Sequence, residues 1–353
     1  MSISGWAHTA ESWILTHVPG ADWLVLFGAG MAVVGALLLA VWLLRIAIRA
    51  AGVLSNEGKA RAARARKAPG FRILIAPPAG DRPVGKWLEG ALSQFLPIFA
   101  FGAPFSLVSM GVLKGGLEAA TIARARKRMA TADADLFLWA SRTGKGERGL
   151  ELHGISRGGG LSAAEARLFT IALPGDRRLR NEDLARAAAY LLTKQLQPSL
   201  SDPQAFRAEK ISQLALELDA LLAGEPAISK TLRSEIEADF CAAGVRVAEE
   251  LGDVTALDKV IVMRRKHLEA ASDAADTGRV IQARLDLGRA LIVRAEKRFD
   301  QNVVREAVAQ LSLAVEGLRA DPMILRAQSA SDALFKAQSM IESRKRFSLN
   351  FGS

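Results

Sequence analysis

WLVLFGAGMAVVGALLLAVWLL, Trp23 to Leu44, is a run of 22 residues without a charge, bounded by Asp22 and Arg45. A helix rises 1.5 Å per residue, so about 20 apolar residues cross roughly 30 Å of hydrocarbon. Trp23 and Trp42 stand near the two ends, where indoles favour a membrane interface. The run therefore predicts a transmembrane helix over 23–44. Half of the 353 residues are hydrophobic and the mean hydropathy is positive, which agrees with that expectation.

The flanks set a direction. Residues 2–22 contain no Lys or Arg, whereas RIAIRAAGVLSNEGKARAARARK, Arg45 to Lys67, carries Arg45, Arg49, Lys59, Arg61, Arg64, Arg66 and Lys67 against the single acid Glu57. A cleaved signal peptide begins with basic residues and has a shorter apolar core, so it does not fit. The positive-inside rule places the amino terminus (1–22) outside and everything beyond Arg45 in the cytoplasm. The seven cations over 45–70 are then expected to hug an anionic lipid surface, with SNEG breaking the helix and KARAARARK forming a short one. Within the run, Gly28, Ala32, Ala36 and Ala40 recur every four residues, a spacing that lets two helix backbones approach and predicts a homo-oligomer.

The net charge of +10 is unevenly spread: −2 over 1–44, +6 over 45–70, +7 over 71–200 and −1 over 201–353. The second basic patch, ARARKR at 123–128, is not interleaved with aromatics, and neither is the first, so lipid is favoured over nucleic acid as the partner of both. Cys241 is the only cysteine, which excludes an intrachain disulfide and a disulfide-stapled design.

Between 71 and 200 the pattern alternates. FRILIAPP (71–78) reads as a buried strand, VGKWLEGALSQFL as a helix and FSLVSMG (105–111) as a strand. LEAATIARARKRMATAD (117–133) reads as a basic helix. DLFLWAS, ELHGIS and ARLFTIAL give three more strands, and NEDLARAAAYLLTKQL a capped helix. Residues 90–113 lack charge and leave open a second span or a membrane-contacting loop at PIFAFGAPF. Pro97, Gly102 and Pro104 favour the core of an α+β domain instead.

After QPSLSDPQ the sequence predicts helices over 204–223, 227–251, 255–274, 277–299, 302–319 and 322–345, with a tail at 347–353. No His or Cys pair has metal-ligand spacing, GKGERG lacks the phosphate-loop pattern, and no carboxylate pair stands apart. These residues predict no catalytic site, no metal and no cofactor.

Two resemblances follow from these motifs. FRILIAPPAGD, ADADLFLWAS after a basic helix, and the strands GLELHGIS and LFTIAL together resemble the amino-terminal domain of TolB. Similar domains precede tetratricopeptide repeats in many bacterial membrane-anchored proteins. LDLGRAL (285–291) and EAVAQLSLAVEGLRADP (306–322) resemble a degenerate tetratricopeptide repeat, with Leu287, Gly288 and Leu291 on its first helix and Ala307, Leu311 and Ala314 on its second. A 47-residue shift sets Cys241 and Val260 against Gly288 and Ala307 in a looser copy. The resemblance implies a non-enzymatic interaction protein of the bacterial inner membrane. Its fold class would be α+β plus all-α: an amino-terminal transmembrane helix (23–44), a basic linker (45–70), a small mixed α/β domain (71–200) and a helical-hairpin array (201–346). Such an array binds partner proteins along its grooved surface. The alternative role is an envelope sensor or transport accessory whose α+β domain binds a small ligand or lipid headgroups.

Overall fold

A computed structural model of the chain describes residues 9, 12, 13, 16, 22–66, 70–78, 82–101, 103–143, 149–158, 165–196, 208–319 and 324–350. They divide into two compact units, Met1–Arg66 and Lys67–Ser353.

The first unit is dominated by α1 (Asp22–Ala65), a single helix of 44 residues. The expected break at SNEG does not occur. Ala and Arg are strong helix formers, the Gly and Asn penalties are each below about 1 kcal/mol, and Arg61 pairs with Glu57 one turn away at 3.7 Å. The expected transmembrane helix is overturned: among the described residues no helix is long and apolar enough to cross a membrane. The single-pass inner-membrane location, with its outside amino terminus, falls with it. Along α1 the side chains of Leu37, Leu38, Leu39, Trp42, Leu43 and Leu44 are all more than half exposed.

The second unit begins with a five-stranded sheet, ordered β2-β1-β3-β4-β5. The strands are β1 (Phe71–Ala76), β2 (Phe105–Ser109), β3 (Leu136–Thr143), β4 (Gly149–Ser156) and β5 (Arg167–Pro174). β1 runs parallel to β2 and β3, and the β3-β4-β5 meander is antiparallel. Parallel strands need crossovers, supplied by α2 (Arg82–Phe99) and α3 (Ala119–Ala132). α2 packs on α4 (Glu182–Leu196), and both bury apolar stripes against Ile73, Ile75, Leu136 and Leu138. Residues 90–113 belong largely to α2 and β2, so Leu92, Phe95, Leu96 and Phe99 are core side chains and not lipid contacts.

The arginines of the basic helix α3 donate to backbone carbonyls. Arg124 donates to Lys114 O at 3.2 Å, Arg128 to Gly111 O at 2.9 Å and Arg126 to Ala166 O at 3.2 Å. Three of the cations that predicted a lipid surface thus pin the loop after β2 and the start of β5. Arg72, only 9% exposed, donates to the carbonyls of Ala132 and Asp133 at 2.8 and 2.7 Å. It neutralises the negative end of α3 where that helix meets β1.

Six helices follow: α5 (Ala208–Ala223), α6 (Lys230–Leu251), α7 (Thr255–Asp273), α8 (Thr277–Lys297), α9 (Gln301–Leu318) and α10 (Ile324–Asn350). Their boundaries are chemical. Ser229, Asp276 and Asp300 accept backbone N–H bonds at the starts of α6, α8 and α9, and Gly252 ends α6 in the left-handed region. α10 runs past the expected end at 345.

One cluster of buried side chains is continuous from the sheet through Tyr190 and Leu218 to Leu291, Leu311 and Ala337. The polar joint within it is Asp239 on α6, which accepts from the Tyr190 hydroxyl at 2.8 Å and from the Lys194 ammonium at 2.6 Å, both on α4. Lys194 and Asp239 are 16% and 14% exposed. Burial and the neighbouring carboxylate together push the Tyr190 phenol up. Asp239→Ala strands a phenol and an ammonium in a shielded place, so it is expected to cost about 3 kcal/mol, read as a lower denaturant midpoint. Asp239→Asn, which still accepts from Tyr190, is expected to cost less.

Candidate partner-binding groove

A helix hairpin packs closely only where one backbone offers no side chain. A Cβ on Gly288 of α8 would lie 2.5 Å from Leu311 Cγ on α9, so Leu311 occupies the space directly over Gly288. Gly317 of α9 plays the reciprocal part for Ile281 of α8, with a Cβ at 2.7 Å from that side chain. The preceding hairpin repeats the device. A Cβ on Gly244 of α6 would be 2.9 Å from Val260 Cγ2 on α7. The 47-residue shift had set Cys241 in that place; the residue over which the partner helix closes is Gly244, three positions on.

All six repeat-motif residues are buried: Leu287, Gly288 and Leu291 on α8, and Ala307, Leu311 and Ala314 on α9. Alternate helices also touch, α6 with α8 and α8 with α10. The face these three helices share holds a cavity of about 840 Å³.

Its floor is built from small side chains at helical spacing. Ala238, Cys241, Ala242 and Val245 come from one face of α6, with Ala290 and Val293 from α8 and Ala333 from α10. The walls are charged and paired: Arg264 of α7 with Asp286 of α8 at 3.3 Å, Lys336 of α10 with Glu296 at 2.6 Å, and Arg246 with Glu250 along α6. Arg289 reaches the Ser329 hydroxyl on α10. Cys241 is 2% exposed, and burial pushes its thiol up to about 11, which leaves it a small apolar floor residue with no thiolate to offer.

The other expected sites lie elsewhere. Arg45, Lys59, Arg61 and Arg64 are on α1, as is the backbone of Arg49, and Arg66 follows its last residue; the Arg49 side chain and Lys67 fall outside the described residues. Of the small-residue row, Ala36 and Ala40 are exposed on α1, while the surroundings of Gly28 and Ala32 are outside the description. Among the described residues no group of His, Cys, Asp and Glu could hold a metal ion.

One polar cluster had no sequence signal. The sheet register sets Trp139 opposite His153 and His153 opposite Thr170. The imidazole, 1% exposed, meets the Ser141 hydroxyl at 2.8 Å through Nε2 and the Thr170 hydroxyl at 3.0 Å through Nδ1. Glu151 lies 3.5 Å from Nε2. Burial holds the imidazole pKa below its ordinary value, against the pull of Glu151 and Glu118. Both ring nitrogens are occupied by hydroxyls from the adjacent strands, so the ring ties β3, β4 and β5 together. Three residues far apart in sequence converge only after the strands pair, and no spacing rule could have found them.

No family model, no curated protein and no solved structure matches the chain.

Gly288→Ala is expected to destabilise the protein by roughly 1–3 kcal/mol, because its methyl must displace Leu311. In chemical denaturation the double variant Gly288→Ala/Leu311→Ala should cost less than the sum of the two single changes. His153 binds a proton less readily folded than unfolded, so its contribution is undiminished above the ordinary imidazole pKa of about 6.5 and declines as pH falls below that. Denaturant midpoints between about pH 7 and pH 5 are expected to fall more steeply for the wild type than for His153→Gln.

Proposed function

We propose that this protein is a non-enzymatic scaffold that holds a segment of a partner protein in the α6–α8–α10 groove. The observation that carries this reading is the groove itself: about 840 Å³, with a floor of small apolar side chains and walls of paired charges. A floor of Ala, Cys and Val lets a partner's larger apolar side chains enter, and the charged walls orient them. Stacked helical hairpins leave such a surface because each buries only the faces it shares with its neighbours. The occupied nitrogens of His153 and the raised thiol of Cys241 support a binding role over a chemical one. The alternative of a membrane-envelope sensor loses the span on which it was premised.

Ala242, exposed on the groove floor, provides the test. Ala242→Trp fills the groove without touching the buried core. It is expected to lower capture of the partner by about tenfold or more with an unchanged melting temperature. Capture equal to the wild type would contradict the assignment.

A further inference from the structure

β5 ends the sheet, and among the described residues no strand pairs with its outer edge. Proteins guard such edges with short strands, bulges, lysines or prolines, because a row of unmade backbone hydrogen bonds recruits further strands. β5 carries none of these guards along its length. It has eight residues, its register with β4 runs unbroken from Arg167 to Pro174, and LFTIAL between those ends holds no charge and no proline. Unpaired N–H and C=O groups therefore recur along its free side. The side chains leave that side open. Phe169, the largest of them, lies inward across Gly154 of β4, where a Cβ would collide with the ring. Ile171 and Leu173 are buried on the same face of the strand, whereas Leu168, Thr170 and Ala172 are exposed on the other. An added strand would meet the same alternation, apolar on one face and polar on the other.

The charge at the two ends selects the occupant. Arg167 opens β5 and Arg178 follows just beyond its last residue, both exposed. Among the described residues neither guanidinium is paired with a carboxylate. The region from 71 to 200 carries +7 in all, and β5 itself holds no acid. Two copies joined edge to edge would set Arg167 of one against Arg167 or Arg178 of the other, and like charges across paired strands are destabilising. A segment with acids at its ends meets the opposite sign at both. We propose that β5 takes on a sixth strand from a partner protein: an extended segment alternating apolar and polar side chains, with Glu or Asp at each end. Backbone hydrogen bonds along the free edge hold the segment, and Arg167 and Arg178 fix its position. This site is on the sheet and stands independently of the α6–α8–α10 groove.

Titration of the full chain with the fluorescent peptide EVTVTVTE, read by anisotropy, tests this directly. The peptide is expected to bind. The double variant Arg167→Glu/Arg178→Glu is expected to bind it about tenfold more weakly, with an unchanged melting temperature, and to favour KVTVTVTK instead. EVTVTVTE N-methylated throughout keeps its charges but has no backbone donors, so it is expected not to bind. No binding of EVTVTVTE, equal binding of the N-methylated peptide, or binding indifferent to the two arginine changes would each overturn the proposal. A dimer of the full chain that the peptide dissolves in sedimentation would put a second copy on the edge and overturn it too.

Discussion

Leu311 stands where a side chain on Gly288 would have to be, and the helical half of the protein depends on that close approach. Because α9 sinks onto α8 at this point, Leu287, Leu291, Ala307 and Ala314 are buried in the same seam. Gly244 and Val260 set the same spacing between α6 and α7. Two closely packed hairpins then bring α6, α8 and α10 side by side, and the groove is the surface those helices have left over. A methyl group on either glycine would push the hairpins apart and change the groove from beneath, since interiors packed at crystal density transmit such shifts.

The sheet serves the array as an end stop. Its helix α4 is shared: apolar residues such as Leu184 and Leu192 face the sheet, while Tyr190 and Lys194 reach Asp239 on α6. The result is one core continuous from β1 to α10. The carbonyl-bound arginines of α3, Arg72 at its carboxyl end and the His153 hydroxyl pair hold the sheet's loops and outer strands.

Element positions were readable because period and punctuation agreed. The strands FRILIA and LFTIAL and the helices divided by GEP, GD, DTG and FDQN lie within a few residues of where hydropathy and capping placed them. The burial of Leu287, Gly288, Leu291, Ala307, Leu311 and Ala314 was legible for the same reason. Charge patterning alone did not carry the tertiary contacts of ARARKR, whose guanidinium groups meet backbone carbonyls that no spacing in the sequence marks. SNEG looked like a break, but local penalties below about 1 kcal/mol per residue did not stop α1. The spanning helix inferred from 23–44 is likewise not shown, although α1 leaves the apolar side chains from Leu37 to Leu44 open. The groove itself was invisible in sequence, because its lining comes from four helices and each contributes only a few small residues.

The proposed role requires that a segment of a partner protein enter the α6–α8–α10 groove. The most direct measurement is photo-crosslinking in living cells from a benzophenone residue at position 242, on the groove floor, compared with one at Val262, exposed on α7 away from it. A discrete adduct with another polypeptide is expected from position 242 and none from 262. Adducts from 262 alone, or from neither position, would contradict it.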